Sequence, residues 1–364
     1  MKVLTVGGAM IDTIAIIESD RIERMTMLNA ETSFLLLEDG RKTEALEIST
    51  HCGGGAVNAA VAMARLGLDV AVLVKLGRDG RAETLLARLL QEGVSTRWVM
   101  RDGRAPTGAS VLVSSHDRNA AIFTFRGANT LLEPQDLRQE AFAVDVVYVS
   151  SLSNKSADCF PMIVERATAQ SALVAANPGV RQLSARATAF QKCLPGIDIL
   201  AINRTEADVL VPSLVAQFGE GGPALPLAPG EEPPALAARG LESGGFDMSL
   251  AAFLGALRTL GARHVLLTDG LGGAFAAGGD EILFCPALAA DVAGTAGAGD
   301  AFASTFTACL ALGRPAAEAL RAATINASSV VGHVDTQTGL LRCESLAQRL
   351  AETSNRLTVR RWGL

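Results

Sequence analysis

Gly294-Thr295-Ala296-Gly297-Ala298-Gly299-Asp300-Ala301-Phe302 is the stretch on which the reading of this chain turns. It joins an apolar segment, Ile282 to Val292, to an uncharged apolar run, Ala301 to Leu312, whose composition predicts a buried helix. A glycine-rich loop at a helix start leaves backbone N–H groups free, and the helix dipole behind them favours anions. Small residues let a phosphate come close to the backbone. A carboxylate in that place, Asp300, repels an anion unless it has a task. Accepting a proton from a hydroxyl that attacks a bound phosphoryl group is the task that fits. On this run alone a second reading stays open, because small-residue turns also serve to let a helix pack closely on a sheet.

Two phosphate-binding loops are excluded by the residues themselves. No Gly-Lys dipeptide occurs, so there is no Walker A loop, and the third glycine of a G-x-G-x-x-G fingerprint is replaced by Phe302.

Around this loop, apolar strand-like runs alternate with helical patterns. Strands are expected at Val3–Val6, Val70–Leu76, Val144–Ser150, Leu173–Ala176, Ile199–Ile202 and His264–Thr268. Helices are expected at Val57–Leu66, Ala82–Glu92, 157–170, 183–193, 249–260 and 316–331. Such alternation implies an α/β fold with a mostly parallel sheet covered on both faces. Two segments break the rhythm. Thr32–Leu37 and Glu44–Ile48 flank Glu38-Asp39-Gly40-Arg41, and Gly108–Ser114 and Ala121–Phe125 flank Ser115–Asn119. Both read as hairpins that together form a small β-sheet lid over the cleft. Phe123 and Phe125, alternating with Thr124, are expected on one side of that lid, covering substrate or packing against the core. Residues 212–245, rich in Pro, Gly and Ala, read as a surface insertion. The expected division is a core of residues 1–30, 51–105 and 127–364 and a lid of 31–50 and 106–126.

Bulk properties narrow the function. A length of 364 residues with 49% hydrophobic residues and 36 glycines supports a large folded core. The net charge of −6, from 32 basic and 38 acidic residues without a dense basic patch, argues against nucleic-acid binding. No apolar run of membrane-spanning length is present, so no membrane association is expected. The opening Met1-Lys2-Val3-Leu4-Thr5-Val6-Gly7 reads as a strand and turn rather than a secretory leader. Cys52, Cys159, Cys193, Cys285, Cys309 and Cys343 form no C-x-x-C pair and are expected as free thiols in a cytoplasmic protein.

Seven motifs in order resemble those of the PfkB (ribokinase-like) carbohydrate kinase family, over almost the whole chain. They are Gly7-Gly8-Ala9-Met10-Ile11-Asp12; His51-Cys52-Gly53-Gly54-Gly55-Ala56-Val57-Asn58 through Arg65-Leu66-Gly67; and Gly77-Arg78-Asp79-Gly80. Then come Gly127-Ala128-Asn129, Asn203-Arg204-Thr205-Glu206, Thr268-Asp269-Gly270-Leu271-Gly272-Gly273, and the opening loop, which matches the C-terminal signature. The resemblance implies a three-layer ribokinase-like fold with a lid. It implies an ATP-dependent, Mg²⁺-assisted phosphotransferase acting on a primary hydroxyl of a small sugar or sugar acid. By the same resemblance Asp300 is the base, and Gly297, Ala298, Gly299 and Asp300 form the anion hole. Asp12, Gly53, Gly54, Gly55 and Asn58 face substrate. Asn203, Thr268, Gly270, Gly273 and Asn326 lie along the nucleotide, with Asn326 near its base, and Asn203 and Glu206 serve the metal partly through water.

Physical reasons stand beside these transfers. Asn203 and Glu206 are three residues apart at a helix start and share a side; the alternative is a capping pair serving only its own helix. Asp12 is expected at the C-terminal end of the first strand, where α/β sheets bind ligands, though a loop or capping Asp is common there. Asn58 offers both a donor and an acceptor.

The chain also departs from the family. Gly294 replaces the usual first Asp of the C-terminal signature and Ala296 a common Thr, which puts K⁺ activation in doubt. Ala303 and Thr305 stand where Asn and Gly are frequent. Gly55 stands where ribokinase-like sugar kinases often carry a Lys, which argues against ribokinase itself. A nucleoside kinase on this scaffold and a non-catalytic ligand-binding homologue remain the alternatives. The former needs an apolar shelf that aromatics, at 4%, scarcely supply. An exposed lid edge predicts a homodimer with the lids packed together.

Overall fold

The computed structural model describes every residue except 19–22, 27–32, 37–39, 41, 116–119 and 354–355. The β-branched, apolar runs assemble into a nine-stranded sheet. From one edge inward its order is Arg360–Gly363, Glu281–Cys285, Ala274–Gly278, His264–Thr268, Ile199–Asn203, Leu173–Asn177, Val146–Ser150, Lys2–Val6 and Asp69–Leu73. The six strands from His264–Thr268 to Asp69–Leu73 run parallel, and the remaining three are antiparallel. Strands such as Val146–Ser150 are buried at every position, as a sheet covered on both faces requires.

Helix Ala298–Ala311 is buried from Ala301 to Cys309 and packs against helices Gly55–Arg65 and Ala316–Val331. Its three buried hydroxyl residues do not break it. Ser304 and Thr307 donate to the carbonyls of Asp300 and Ala303, at 2.6 and 2.8 Å, and Thr305 accepts from the amide of Asn326 at 2.7 Å.

A four-stranded sheet stands apart, in the order Ala120–Phe125, Gly108–Ser115, Met10–Ile17, Ala45–Gly53. The hairpin between Gly108–Ser115 and Ala120–Phe125 forms as the sequence suggests, its turn at 116–119 lying outside the described residues. The other hairpin does not form. Ala45–Gly53 pairs antiparallel with Met10–Ile17, while Ser33–Leu36 pairs with Glu23–Thr26 in a separate ribbon. Of the turn expected between them, Glu38, Asp39 and Arg41 lie outside the described residues. The expected division placed Met10–Ile17 in the core, within residues 1–30. In the sheet it is an interior strand, held on both sides.

The insertion is also shorter than the sequence suggested. Helix Arg204–Phe218 runs through Pro212 and ends at Gly219, and a short helix, Ala235–Arg239, and a ribbon, Leu241–Ser243 with Phe246–Met248, follow. Leu225, Leu236, Leu241 and Met248 are buried in the main core and anchor this otherwise largely exposed segment. No helix among the described residues is long and apolar enough to cross a membrane.

Candidate active site

The C-terminal ends of the parallel strands open into a cleft of about 360 Å³. Ser151, Asn177, Gly179, Asn203 and Thr268 line it from the sheet, and Gly297, Gly299 and Asp300 from the buried helix. Ligands of open α/β sheets gather at this edge, where loops and helix N-termini converge.

Gly297 is the residue before helix Ala298–Ala311 and adopts φ +80°, the left-handed region that favours glycine. A Cβ there would lie 2.7 Å from that of Thr336. The Ala298 N–H makes only a 3.5 Å contact with the Thr295 carbonyl, and the N–H groups of Gly299 and Asp300 belong to the first turn, where no intrahelical acceptor exists. The space over Gly299 is open.

Asp300 is held from the other side of the cleft. The Asn58 amide donates to its Oδ2 at 2.8 Å. The orientation of that amide is in turn set by two donors to its oxygen, Thr336 Oγ1 at 2.9 Å and Gln337 Nε2 at 3.2 Å. Burial pushes the Asp300 carboxyl above the usual carboxylate range, the Asn58 hydrogen bond pulls it back, and the charge of Asp12 adds to the rise. The result is a partly shielded carboxylate beside unpaired N–H groups.

Asp12 is not at the end of the first core strand, as the sequence suggested. It sits on Met10–Ile17 in the four-stranded sheet, opposite Ser110 and His51, and Ser110 Oγ donates to its Oδ1. Its carboxyl too is raised by burial, against the lowering effects of Ser110 and of His51. Gly53 leaves its bare Cα beside Asp12, and a Cβ on Gly55 would stand 3.3 Å from Asp300 Oδ1. These glycines therefore keep open the space between the two carboxylates. Gly54, at φ +98°, lets two backbone segments approach closely, since a Cβ there would lie 2.6 Å from the Gly8 carbonyl oxygen.

Asn203 and Glu206 form a complete capping box. The Asn203 N–H donates to Glu206 Oε2 at 2.8 Å, and the Glu206 N–H to Asn203 Oδ1 at 2.9 Å. The two functions are not exclusive, because both residues line the cleft. Burial, with the nearby charge of Asp300 adding, pushes the Glu206 carboxyl up to about 7 against the hydrogen bonds from Asn203. Parallel pairing sets Thr268 beside Asn203, and Gly270–Gly272 turns immediately after it.

Asn326 is not at the cleft. It is fully buried, with its amide donating to Thr305 Oγ1 at 2.7 Å and its oxygen accepting from the Leu341 N–H at 2.9 Å, so it locks two helices and a loop together. Phe123 and Phe125 share a side as expected, but Phe123 pairs with Val111, which in turn pairs with Thr13, on the face away from Asp12, Ser110 and Thr124. They cover no substrate on the Asp12 side.

Two of the motifs prove to be braces. Asn129 exchanges hydrogen bonds with the Ala9 backbone at 3.0 and 2.9 Å, pinning the turn before Asp12. Asp79 caps helix Gly80–Gln91 and holds Thr107 through two 2.7 Å bonds. Thr336 and Gln337, which orient Asn58, escaped the sequence reading. They lie in a polar loop without a spacing pattern, some 278 residues from their partner.

The sequence model of the pfkB family carbohydrate kinases matches residues 9–218 and 237–343, breaking at the inserted segment. The chain belongs to that family. Among curated proteins it is 29% identical over 128 residues to a deoxyribokinase of Salmonella typhi, covering 35% of this chain and 40% of the relative. It is 28% identical over 205 residues to the mouse ribokinase, covering 55% and 61%. The matched regions thus span less than two thirds of these relatives. Solved structures with the same fold include a ribokinase from Thermotoga maritima, at 18% identity, TM-score 0.69 and coverage of 96% and 99%. A Burkholderia thailandensis nucleoside kinase in complex with inosine gives 17%, 0.70, and 98% and 100%.

Proposed function

We propose that this protein is an ATP-dependent phosphotransferase that acts on a primary hydroxyl of a small sugar or sugar acid. The observation that carries the reading is Asp300. It is a carboxylate in the first turn of a buried helix, oriented by Asn58 and set among free backbone N–H groups. Asp300 takes the proton of the attacking hydroxyl, and the N–H groups of Gly297, Ala298, Gly299 and Asp300 receive the charge that builds on the phosphoryl oxygens. Asp12 and Asn58 bind the substrate hydroxyls in the space that Gly53, Gly54 and Gly55 leave clear. Thr268, Gly270 and Gly273 run along the nucleotide.

The donor set suits a hard divalent cation. The charge of Asp300 adds to the cost of ionising Glu206 across one cleft, a cost that a bound cation would relieve. Because the capping box already engages Glu206 Oε2 and Asn203 Oδ1, these residues would hold Mg²⁺ largely through water. When bound, Mg²⁺ offsets charge on the nucleotide phosphates. Gly294 is surrounded by the carbonyls of His333 and Val334 at 3.1 and 3.4 Å from its would-be Cβ but brings no carboxylate, and no step here depends on K⁺.

A small polyol suits the substrate residues better than a nucleoside does. Asp12, Gly53, Gly54, Gly55 and Asn58 offer carboxylate, amide and backbone groups for hydroxyls and no aromatic shelf for a base.

The lid carries a second proposal. Ile48, Val111, Phe123 and Phe125 are exposed on the four-stranded sheet, at 68, 43, 63 and 51%, and pairing of two lids across this face covers them. Six unpaired cysteines fit a reducing cytoplasm.

The test is ADP release across sugars, sugar acids and nucleosides, for the native protein and Asp300→Asn. Turnover confined to the sugar classes and lost in the variant is expected. Turnover on nucleosides alone, or ligand binding without turnover on any class, refutes the assignment.

A further inference from the structure

We propose that Arg88 is a positioning residue for the transfer reaction: anchored on the buried Glu92, it sets the direction of two hydrogen-bonded amides, Gln337 and Asn58, so that a donor faces the Asp300 carboxylate. This rests on the reading of Asp300 as the base given above and adds the residues that keep it aimed.

The chain of hydrogen bonds is continuous. Arg88 Nε donates to Gln337 Oε1 at 3.0 Å, Gln337 Nε2 to Asn58 Oδ1 at 3.2 Å, and Asn58 Nδ2 to Asp300 Oδ2 at 2.8 Å. Gln337 and Asn58 are both buried, so bulk water offers neither amide another partner. Arg88 lies in the last turn of helix Gly80–Gln91, and its Nη2 is held by Glu92 Oε1 at 2.9 Å. Glu92 is bound as well by Arg65, the last residue of helix Gly55–Arg65, through bonds of 2.7 and 2.9 Å. Two helix ends thus share one buried carboxylate, and the arginine on the second of them reaches the amide pair. Of the residues in this chain of bonds, only Asp300 lines the cleft.

Direction is the point of the arrangement. An arginine only donates and an ionised carboxylate only accepts, whereas an amide does both, through different atoms. Two amides between such ends line up in one order, each nitrogen toward Asp300. The backbone of Gln337 is fixed separately, because Asp335 Oδ1 accepts its N–H at 2.8 Å and Arg65 Nη1 donates to its carbonyl at 2.8 Å. What remains is the rotation of its side-chain amide, and Arg88 decides that. Thr336 Oγ1, which donates to Asn58 Oδ1 at 2.9 Å, cannot, since a hydroxyl donates or accepts by turning. With both amides reversed, the Asn58 oxygen would face the Asp300 carboxylate and the bond that favours its charged form would be lost.

The experiment is a double-mutant cycle on kcat for ADP release. Arg88→Met, Gln337→Met and Gln337→Glu are each measured alone and with Asn58→Ala, and Tm is recorded for all. Arg88→Met leaves Glu92 bound to Arg65, and Gln337→Met leaves the Arg88–Glu92 pair in place, so one variant decides where the other does not fold. Each Met variant should lower kcat by about 3- to 10-fold, the range for one hydrogen bond between uncharged groups. Gln337→Glu keeps the shape and the bond to Arg88 but turns an acceptor toward Asn58. It should therefore cost more than Gln337→Met, about 10-fold or more. With Asn58→Ala the same three changes should alter kcat by less than about twofold, because nothing is left for them to aim. Losses of equal size in both backgrounds, unchanged kcat in the Met variants, or a milder effect of Gln337→Glu than of Gln337→Met overturns the proposal. A second arm needs no turnover. The Asn58 side-chain NH₂ signal, assigned in ¹⁵N NMR by its absence from Asn58→Ala, should shift in both Met variants, and an unmoved signal overturns the proposal. Should the native protein transfer phosphate to no substrate, the kinase reading falls and this signal alone decides whether Arg88 aims the amides.

Discussion

The helix that begins at Gly297 and the lid sheet are both built around a carboxylate, yet the chain specifies them in different ways. Asp300 owes its setting to nine consecutive residues: a left-handed glycine, a first turn with free N–H groups and a small-residue helix that can be buried. Asp12 owes its setting to strands from three separated segments, whose register brings Ser110 and His51 beside it. A local device survives in the sequence as a motif. A non-local one survives only as alternation, which several pairings satisfy equally well. The comparison teaches that the reacting end of the site is encoded by adjacency and the recognising end by assembly.

The largest effect that sharpens this contrast is at Asp300. Asp300→Asn keeps the shape of the helix start and removes the base, so kcat should fall by about 10²- to 10⁴-fold in the ADP-release assay. A fall of less than tenfold would break the comparison at its stronger end.

Asn58 joins the two regions, and Asn58→Ala should lower kcat by about 10-fold or more, the effect of losing one oriented hydrogen bond to a charged group. Because the Asn58 bond lowers the Asp300 carboxyl, its loss raises that group further. The acidic limb of the kcat–pH profile should then move to higher pH, whereas a purely structural role for Asn58 would leave the limb in place.

Gly54→Ala tests the approach of backbones between core and lid. The residue is at φ +98° and its Cβ would meet the Gly8 carbonyl at 2.6 Å, so a loss of about 1–3 kcal/mol in stability is expected from chemical denaturation.

Glu206 gives a smaller effect with a defined sign. Its carboxyl is raised from 4.5 to about 7 in the folded protein. Between those values the folded chain holds a proton that the unfolded chain has released, so the contribution to stability is full below pH 4.5 and is lost as pH rises through 7. Glu206→Gln, which keeps an acceptor for the cap, should raise Tm at pH 8 by about 2 °C or more and leave it nearly unchanged at pH 4.5. Nucleotide with Mg²⁺ should release protons on binding near pH 7, and calorimetry in buffers of different ionisation enthalpy reads that release.

The smallest effect on chemistry belongs to the outer lid face. Phe123→Glu should convert a dimer to a monomer by light scattering, with kcat changed by less than about twofold, as for surface substitutions away from a site. A native protein that is already monomeric at micromolar concentration removes the lid-pairing proposal.

Legibility followed the same division. His264–Thr268 and the helix at 316–331 were readable to the residue, because a buried parallel strand and a long helix carry their patterns within themselves. Ser33–Leu36 was assigned the wrong partner because sequence proximity stood in for pairing. Asn326 looked like a ligand residue and is instead a buried amide bonded to Thr305 and Leu341, since a motif position carries no record of which way its side chain turns. Thr336 and Gln337 carried no readable signal. Each acquires a role only from a neighbour distant in the chain.

By itself the sequence determined the α/β class, the family and the loop from Gly294 to Phe302. These depend on backbone conformation, periodicity and the order of short motifs, all written over a few adjacent residues. Only the tertiary structure decided which strands make the lid, where Asp12 sits, and how Asn58 aims at Asp300. Those outcomes depend on distances between residues far apart in the chain. The free energy of bringing such residues together is shared across the whole packed core, so no local stretch of residues can record it.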